Sequence, residues 1–209
     1  MSRYVIEKEK LKENIEFIKQ KAGVPVIGVV KGNGYGFGIR EFTSVLKENG
    51  ITFFAVTEVT DIPVLKEILD EKDSLLVMRS TCIESEARQI AESGCIATIG
   101  SRAACRVMEK VADELDTTVK CHLKIDTGMG RYGFMPSEIS KAIECYKMPH
   151  LKFTGIYTHF SSAFRNAELT KAQLAVFKDC ITQIKNAGFE TGMAHCANSP
   201  ALLNVDGVS

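Results

Sequence analysis

The stretch Val26-Ile27-Gly28-Val29-Val30-Lys31-Gly32-Asn33-Gly34-Tyr35-Gly36-Phe37-Gly38 decides how the rest of the chain is read. Its first part is a short apolar run of the kind that forms a buried strand, and its second part is a glycine-rich loop that opens a helix. A strand feeding a helix is the building block of a β/α fold, and the same alternation extends outward on both sides. Upstream, Ile6, Leu11, Ile15 and Ile18 carry helical spacing. Downstream, a helix over 39–49 leads to a strand at 53–56, and a helix near 61–69 to a strand at 75–78. The pattern continues with helix 84–92 and strand 96–99, helix 102–115 and strand 119–125, then helix 137–145 and strand 153–157. Helix 167–186 precedes a last strand at 193–196, and another helix begins at Pro200. Ser101 suits an N-cap and Pro136 a first turn. Strands and helices alternating over short connections mean parallel strands covered by helices.

Seven such units can be counted in the 209 residues. A (β/α)8 barrel needs eight, usually in about 250 residues. The chain stops at Asn204-Val205-Asp206-Gly207-Val208-Ser209, where the seventh unit's helix and an eighth strand would follow. Two α/β architectures therefore fit: an open doubly wound sheet, or a TIM-type barrel incomplete at its C-terminus. An incomplete barrel would expose an edge strand and associate in solution.

Composition narrows the function. Lysine and arginine number 26 against 26 aspartate and glutamate, so the formal net charge is zero, with 45% apolar and 25% charged residues. This is an ordinary single globular domain over 1–209. The charge balance leaves no electrostatic footprint for nucleic acid or an anionic membrane. No apolar run approaches the roughly 20 residues of a spanning helix. The charged N-terminus lacks a signal peptide's apolar core, and the expected location is the cytoplasm. The seven cysteines (Cys82, Cys95, Cys105, Cys121, Cys145, Cys180 and Cys196) show no C-x-x-C spacing and read as reduced structural thiols. Zinc would need Cys121, His122, His195 and Cys196 to converge, but neighbours on a strand point to opposite faces, and no metal is expected.

Chemistry in parallel β/α folds collects at the carboxyl ends of the strands. Lys31 closes the first strand's run. Burial would lower its pKa and make it a Schiff-base former, the plainer alternative being a lysine that snorkels to water. The following loop matches neither a Walker A loop nor G-x-G-x-x-G. It is either a tight connection or a phosphate cradle, to which the Tyr35 hydroxyl could donate. A second cluster runs from His122 through Lys124, Asp126, Thr127 and Gly128 to Arg131. The Asp126-Thr127-Gly128 triplet occurs once, whereas an aspartic protease needs two such carboxylates sharing a proton. A surface ion pair is the plain reading of these mixed charges. His159 and His195 each follow a strand, and both are placed on the face shared by Lys31 and Arg131. His150, in a loop beside Pro149, has no such company.

Together these residues resemble the alanine racemase family of pyridoxal-phosphate enzymes. Val29-Val30-Lys31 with its glycine loop resembles the cofactor-attachment motif. The runs beginning at Lys124, Gly155 and His195 resemble the family's later motifs in the same order. The resemblance spans essentially the whole chain and implies a (β/α)8 barrel truncated before strand eight, without the β domain that follows it in the family. It implies pyridoxal 5′-phosphate as cofactor, a small amino acid, alanine first, as substrate, and a homodimer for the full-length protein.

The implied roles follow residue by residue. Lys31 matches the Schiff-base lysine, also one of two catalytic bases. Tyr35 and Ser199 match phosphate contacts, with Asn198 completing the latter motif. Arg131 matches the arginine near the cofactor's phenolic oxygen, and Lys124 a supporting lysine, often carbamylated, that pairs with it. His159 and His195 match histidines that orient the family's catalytic tyrosine and its pyridine-facing arginine. The resemblance thus places Lys31, Arg131 and His159 in the catalytic set, and His159 and His195 also beside the cofactor. Gly32, Gly34 and Phe37 depart from the alanine, alanine and histidine usual in the family. Because the opposite-face tyrosine and the pyridine-facing arginine belong to segments beyond this sequence, the chain alone is expected not to racemise. A non-catalytic cofactor-binding barrel and a racemase for serine or a basic amino acid are the alternatives.

Overall fold

The computed structural model describes residues 5–208, in two compact units, one up to Met78 and the other from Arg79 onward. In the first unit, α1 (Lys8–Ala22) precedes β1 (Ile27–Val29), α2 (Lys31–Tyr35), α3 (Ile39–Glu48), β2 (Phe53–Val56), α4 (Ile62–Lys66) and β3 (Ser74–Val77). The three strands run parallel, Ile27 beside Phe53 and Phe54 beside Leu75. Phe54, Ala55, Val56, Leu75, Leu76 and Val77 are all buried, so both faces of these strands are covered. That double burial is why they read as unbroken apolar runs. The helix predicted over 61–69 is α4 preceded by a tight turn over Val59–Asp61. Pro63, lacking an N–H, is accommodated in the first turn of α4.

The glycine-rich loop has a definite form. Gly32, Asn33 and Gly34 have φ of 61°, 54° and 62°, and Tyr35 continues at 56°. This is a turn of left-handed helix, a hand that residues with a Cβ avoid. Glycine at 32 and 34 makes it accessible, and Asn33 is among the few other residues that tolerate it. The Asn33 Oδ1 then accepts the Ile39 N–H at 2.9 Å and ties the turn to the start of α3.

The second unit runs α5 (Glu84–Glu92), β4 (Ile96–Ile99), α6 (Arg102–Glu114), β5 (Val119–Lys124), α7 (Ile139–Cys145), β6 (Leu151–Tyr157), α8 (Ala167–Asn186), β7 (Met193–His195) and α9 (Ser199–Asn204). Its four strands are parallel, and neighbours in the sheet are neighbours in sequence. Ser101 caps α6 by accepting the Ala104 N–H at 3.1 Å, as predicted, and Asn166 caps α8 through the Leu169 N–H at 2.9 Å. Pro136 opens a tight turn over Pro136–Glu138 ahead of α7. All seven cysteines carry free thiols, five of them buried. Among the described residues no helix is long and apolar enough to cross a membrane.

The strand register sorts side chains by chemistry. Thr98 pairs with His122, Lys124 with Tyr157, and Tyr157 with His195. Side chains alternate along a strand, so these polar residues share one face. Ala97, Ile99, Cys121, Leu123 and Ile156 take the other. A β-bulge makes this possible: Cys121 pairs with Phe153 but His122 with Gly155, leaving Thr154 as the extra residue. A Cβ on Gly155 would lie 2.5 Å from the His122 ring, so the imidazole occupies the space that glycine leaves. Seven strands stand among the described residues, one short of a closed (β/α)8 barrel.

Candidate active site

In the first unit, Lys31 is half-buried at the start of the left-handed turn and Tyr35 is exposed at its end. The buried lysine is a different one. Lys124, at the end of β5, is 1% exposed. Its Nζ donates to the Ile125 carbonyl at 2.8 Å and lies 5.5 and 5.6 Å from the ring centroids of Tyr132 and Tyr157. Burial, opposed by Asp126 and reinforced by Arg131, pushes Lys124 down to about 8. At pH 7 most of it is still protonated, but about a tenth is neutral, the form in which an amine reacts, far more than for a free lysine.

Asp126 is buried as well, which argues against the plain alternative of a surface ion pair. Its carboxylate organises the loop after β5. Oδ1 accepts the N–H groups of Gly128 at 2.9 Å and Gly130 at 3.0 Å, and Oδ2 that of Arg131 at 2.9 Å. Burial raises the Asp126 pKa, but these three bonds and Lys124 outweigh it and leave the group below the usual carboxylate range. The loop is thereby wrapped around one anion, and Arg131 stands exposed at its far end, 5.5 Å from the Tyr132 ring.

His195, at the end of β7, stacks on Tyr157 at 4.8 Å and 7°. Its Nε2 lies 2.8 Å from His122 Nδ1, and Tyr157 Oη lies 3.1 Å from Thr98 Oγ1. Burial, with His122 as a lesser cause, pushes His195 down to about 3, and burial pushes His122 down to about 4. Both imidazoles are neutral at pH 7, so one donates its N–H and the other accepts. A ring held this way has its tautomer and orientation set by a neighbour rather than by water. Of the two pairs weighed for zinc, it is the imidazoles that meet. The Cys121 thiol turns to the Val119 carbonyl and that of Cys196 to the Val208 carbonyl, each at 3.6 Å.

His159 is half-buried in the loop after β6, next to Thr158, whose hydroxyl lies 2.8 Å from that of Thr127. Asn198 caps α9 by accepting the Ala201 N–H at 3.0 Å, which leaves Ser199 exposed at the first helical position. The second unit thus gathers Lys124, Arg131 and His195 about Asp126 and Tyr157. Of the partners that orient them, sequence reasoning noted His122 and Asp126 without giving them this role and passed over Tyr157 and Thr98. The signal was present in the spacing, since His122 and Lys124 stand two apart on one strand and so share a face.

Comparison with known proteins places these observations in a family. The family profile described as "Alanine racemase, N-terminal domain" matches residues 6–208. The alanine racemase of Chlorobaculum tepidum is 29% identical over 209 residues, covering 98% of this chain and 55% of its own. Among solved structures, the alanine racemase of Bacillus anthracis described with bound L-Ala-P superposes with a TM-score of 0.87 at 24% identity, covering 99% of this chain and 56% of that one. That of Bartonella henselae, described with covalently bound pyridoxal phosphate, gives 0.85 at 21% identity, covering 97% and 58%. The chain spans about half the length of the curated relatives it matches. These likenesses show the fold, the α/β barrel type incomplete by its last strand rather than an open doubly wound sheet. With its profile match running nearly end to end, the chain belongs to the alanine racemase N-terminal domain family.

Proposed function

We propose that this chain is the cofactor-binding portion of a pyridoxal 5′-phosphate-dependent racemase, cytoplasmic and dimeric when full length, that interconverts L- and D-alanine. The observation that carries the reading is the polar face of β4–β7, where buried Lys124 and His122 and half-buried His195 occupy positions that packing alone would fill with apolar side chains. The donor set fits the cofactor: an amine at Lys31, hydroxyls at Tyr35 and Ser199, and a guanidinium at Arg131, all exposed or half-buried and so within reach of a ligand. The Bartonella henselae and Bacillus anthracis relatives, with their cofactor and alanine analogue, support the same assignment.

Lys31 would hold the cofactor aldehyde covalently, Tyr35 and Ser199 its phosphate beside Asn198, and Arg131 would face its phenolic oxygen. Bound, the cofactor supplies an electron sink that makes the substrate Cα–H acidic. The Lys31 amine would move the proton on one face of the substrate Cα. Asp126 keeps the Arg131 loop in place; by the resemblance Lys124 would support Arg131, and His159 and His195 would orient groups that reach the site from elsewhere in the whole enzyme. Inversion needs a second base on the opposite face, which the resemblance assigns to a tyrosine outside these residues, so the chain alone binds cofactor without racemising.

The test adds pyridoxal 5′-phosphate to the 209-residue chain. A visible absorbance band is expected, lost in Lys31→Ala, and borohydride reduction with peptide mapping should label Lys31. A band that survives Lys31→Ala, or label on other lysines alone, would refute the assignment.

A further inference from the structure

Gln173, on α8, is a buried polar residue that the reading above does not use; it is 2% exposed. A buried amide is costly unless its donors and acceptor are met. Here the acceptor and one donor are met by two loops. Oε1 accepts the Ser161 N–H at 3.1 Å and the Ser161 hydroxyl at 3.2 Å. Nε2 donates to the Thr127 carbonyl at 3.4 Å. Ser161 lies two residues beyond His159 in the loop after β6, and Thr127 four residues before Arg131 in the loop after β5. A Cβ on Gly128 would lie 3.3 Å from Gln173 Nε2, so the amide sits flush against that loop's backbone. The hydroxyl pair Thr127–Thr158 adds a direct link between the same two loops.

We propose that Gln173 is a positioning residue, whose single amide sets the register between the loop that carries Arg131 and the loop that carries His159. Packing against the loops could be met by an apolar side chain of equal volume, but an apolar side chain offers no direction. The amide accepts from one loop and donates to the other, so both backbones are held at fixed distances from one rigid, two-ended group. What the loops do with this register rests on the racemase reading; the bracing itself does not.

The experiment compares Gln173→Met, which keeps the volume and removes all of these bonds, with Gln173→Glu, which keeps the acceptor for Ser161 and loses the donor to Thr127. Amide hydrogen exchange is measured on the cofactor-free chain. In Gln173→Met the amides of Ser161, Gly128, Gly130 and Arg131 should exchange at least about tenfold faster while those of Leu123 and Ile156 in the strands do not change. In Gln173→Glu the acceleration should be confined to residues 128–131. If Gln173→Met does not fold, this split in Gln173→Glu decides. The second readout is the pH midpoint of the pyridoxal 5′-phosphate band, which should move in Gln173→Met in the same direction as in Arg131→Ala. Unchanged loop exchange, uniform acceleration that includes the strands, or a band midpoint that stays at the wild-type value overturns the positioning role. A wild-type chain with no Lys31-dependent band overturns the proposed function instead, and the exchange results still decide the bracing.

Discussion

Lys124 sits at the end of β5 with 1% of its surface exposed and a pKa near 8, against about 10.4 for the unfolded side chain. The fold disfavours its charged form. Stability is therefore reduced below about pH 8, and the penalty fades as pH rises toward the unfolded value. Replacing Lys124 with Met should stabilise the chain at pH 7 by on the order of 1–3 kcal/mol, with a smaller gain at pH 10. Urea denaturation at the two pH values checks this, and a loss of stability at pH 7 would refute it. His150 acts with the opposite sign. Its ring donates to Glu109 at 2.9 Å, with Asp113 at 3.7 Å. The hydrogen bond to Glu109, only partly opposed by burial, raises its pKa. Its stabilisation is full below about pH 6.5 and is lost as pH rises through the higher folded-state value. Melting temperatures followed upward from pH 6 should show this loss in the wild type and not in His150→Gln.

At the scale of elements, β6 carries the feature on which the imidazole pair depends. The bulge at Thr154 brings Gly155 opposite His122, and the missing side chain leaves room for the ring. Gly155→Ala should push His122 out of contact with His195 and destabilise the unit by about 1–3 kcal/mol, the usual cost of overpacking. Histidine NMR should then show the ring resonances of His122 and His195 both shifting as their contact is lost, while His195 stays well below the ordinary range because burial, the larger cause, remains. An unchanged His195 would mean that the ring is held by something other than the space at Gly155. The helices were legible in the chain because their apolar spacing and caps are local, with α5 and α8 ending where the periodicity does. The bulge was not, because a two-against-one pairing exists between Cys121–His122 and residues 153–155, some thirty positions apart. The left-handed turn after β1 was half legible: its glycines announced an unusual backbone, but the hand continued through Asn33 and Tyr35.

For the whole molecule, the balance of 26 basic and 26 acidic residues leaves little net repulsion between copies near neutral pH. Among the described residues β7 pairs with β6 alone, and Met193 on it is 43% exposed. An open strand edge of this kind invites pairing with another chain. Met193→Lys should lower self-association several-fold in light scattering at constant protein concentration, and unchanged association would place the contact elsewhere. The amino-acid sequence by itself determined the β/α alternation, the seven strands, and the lysine, arginine and histidines at strand ends, because periodicity and turn chemistry are written in neighbouring residues. Tertiary structure alone decided that Lys124 is the buried lysine, that Asp126 serves backbone N–H groups rather than a surface cation, and that His122 meets His195. Burial and pairing of this kind depend on which distant segments lie side by side, and that is settled by strand register and close packing across the sheet.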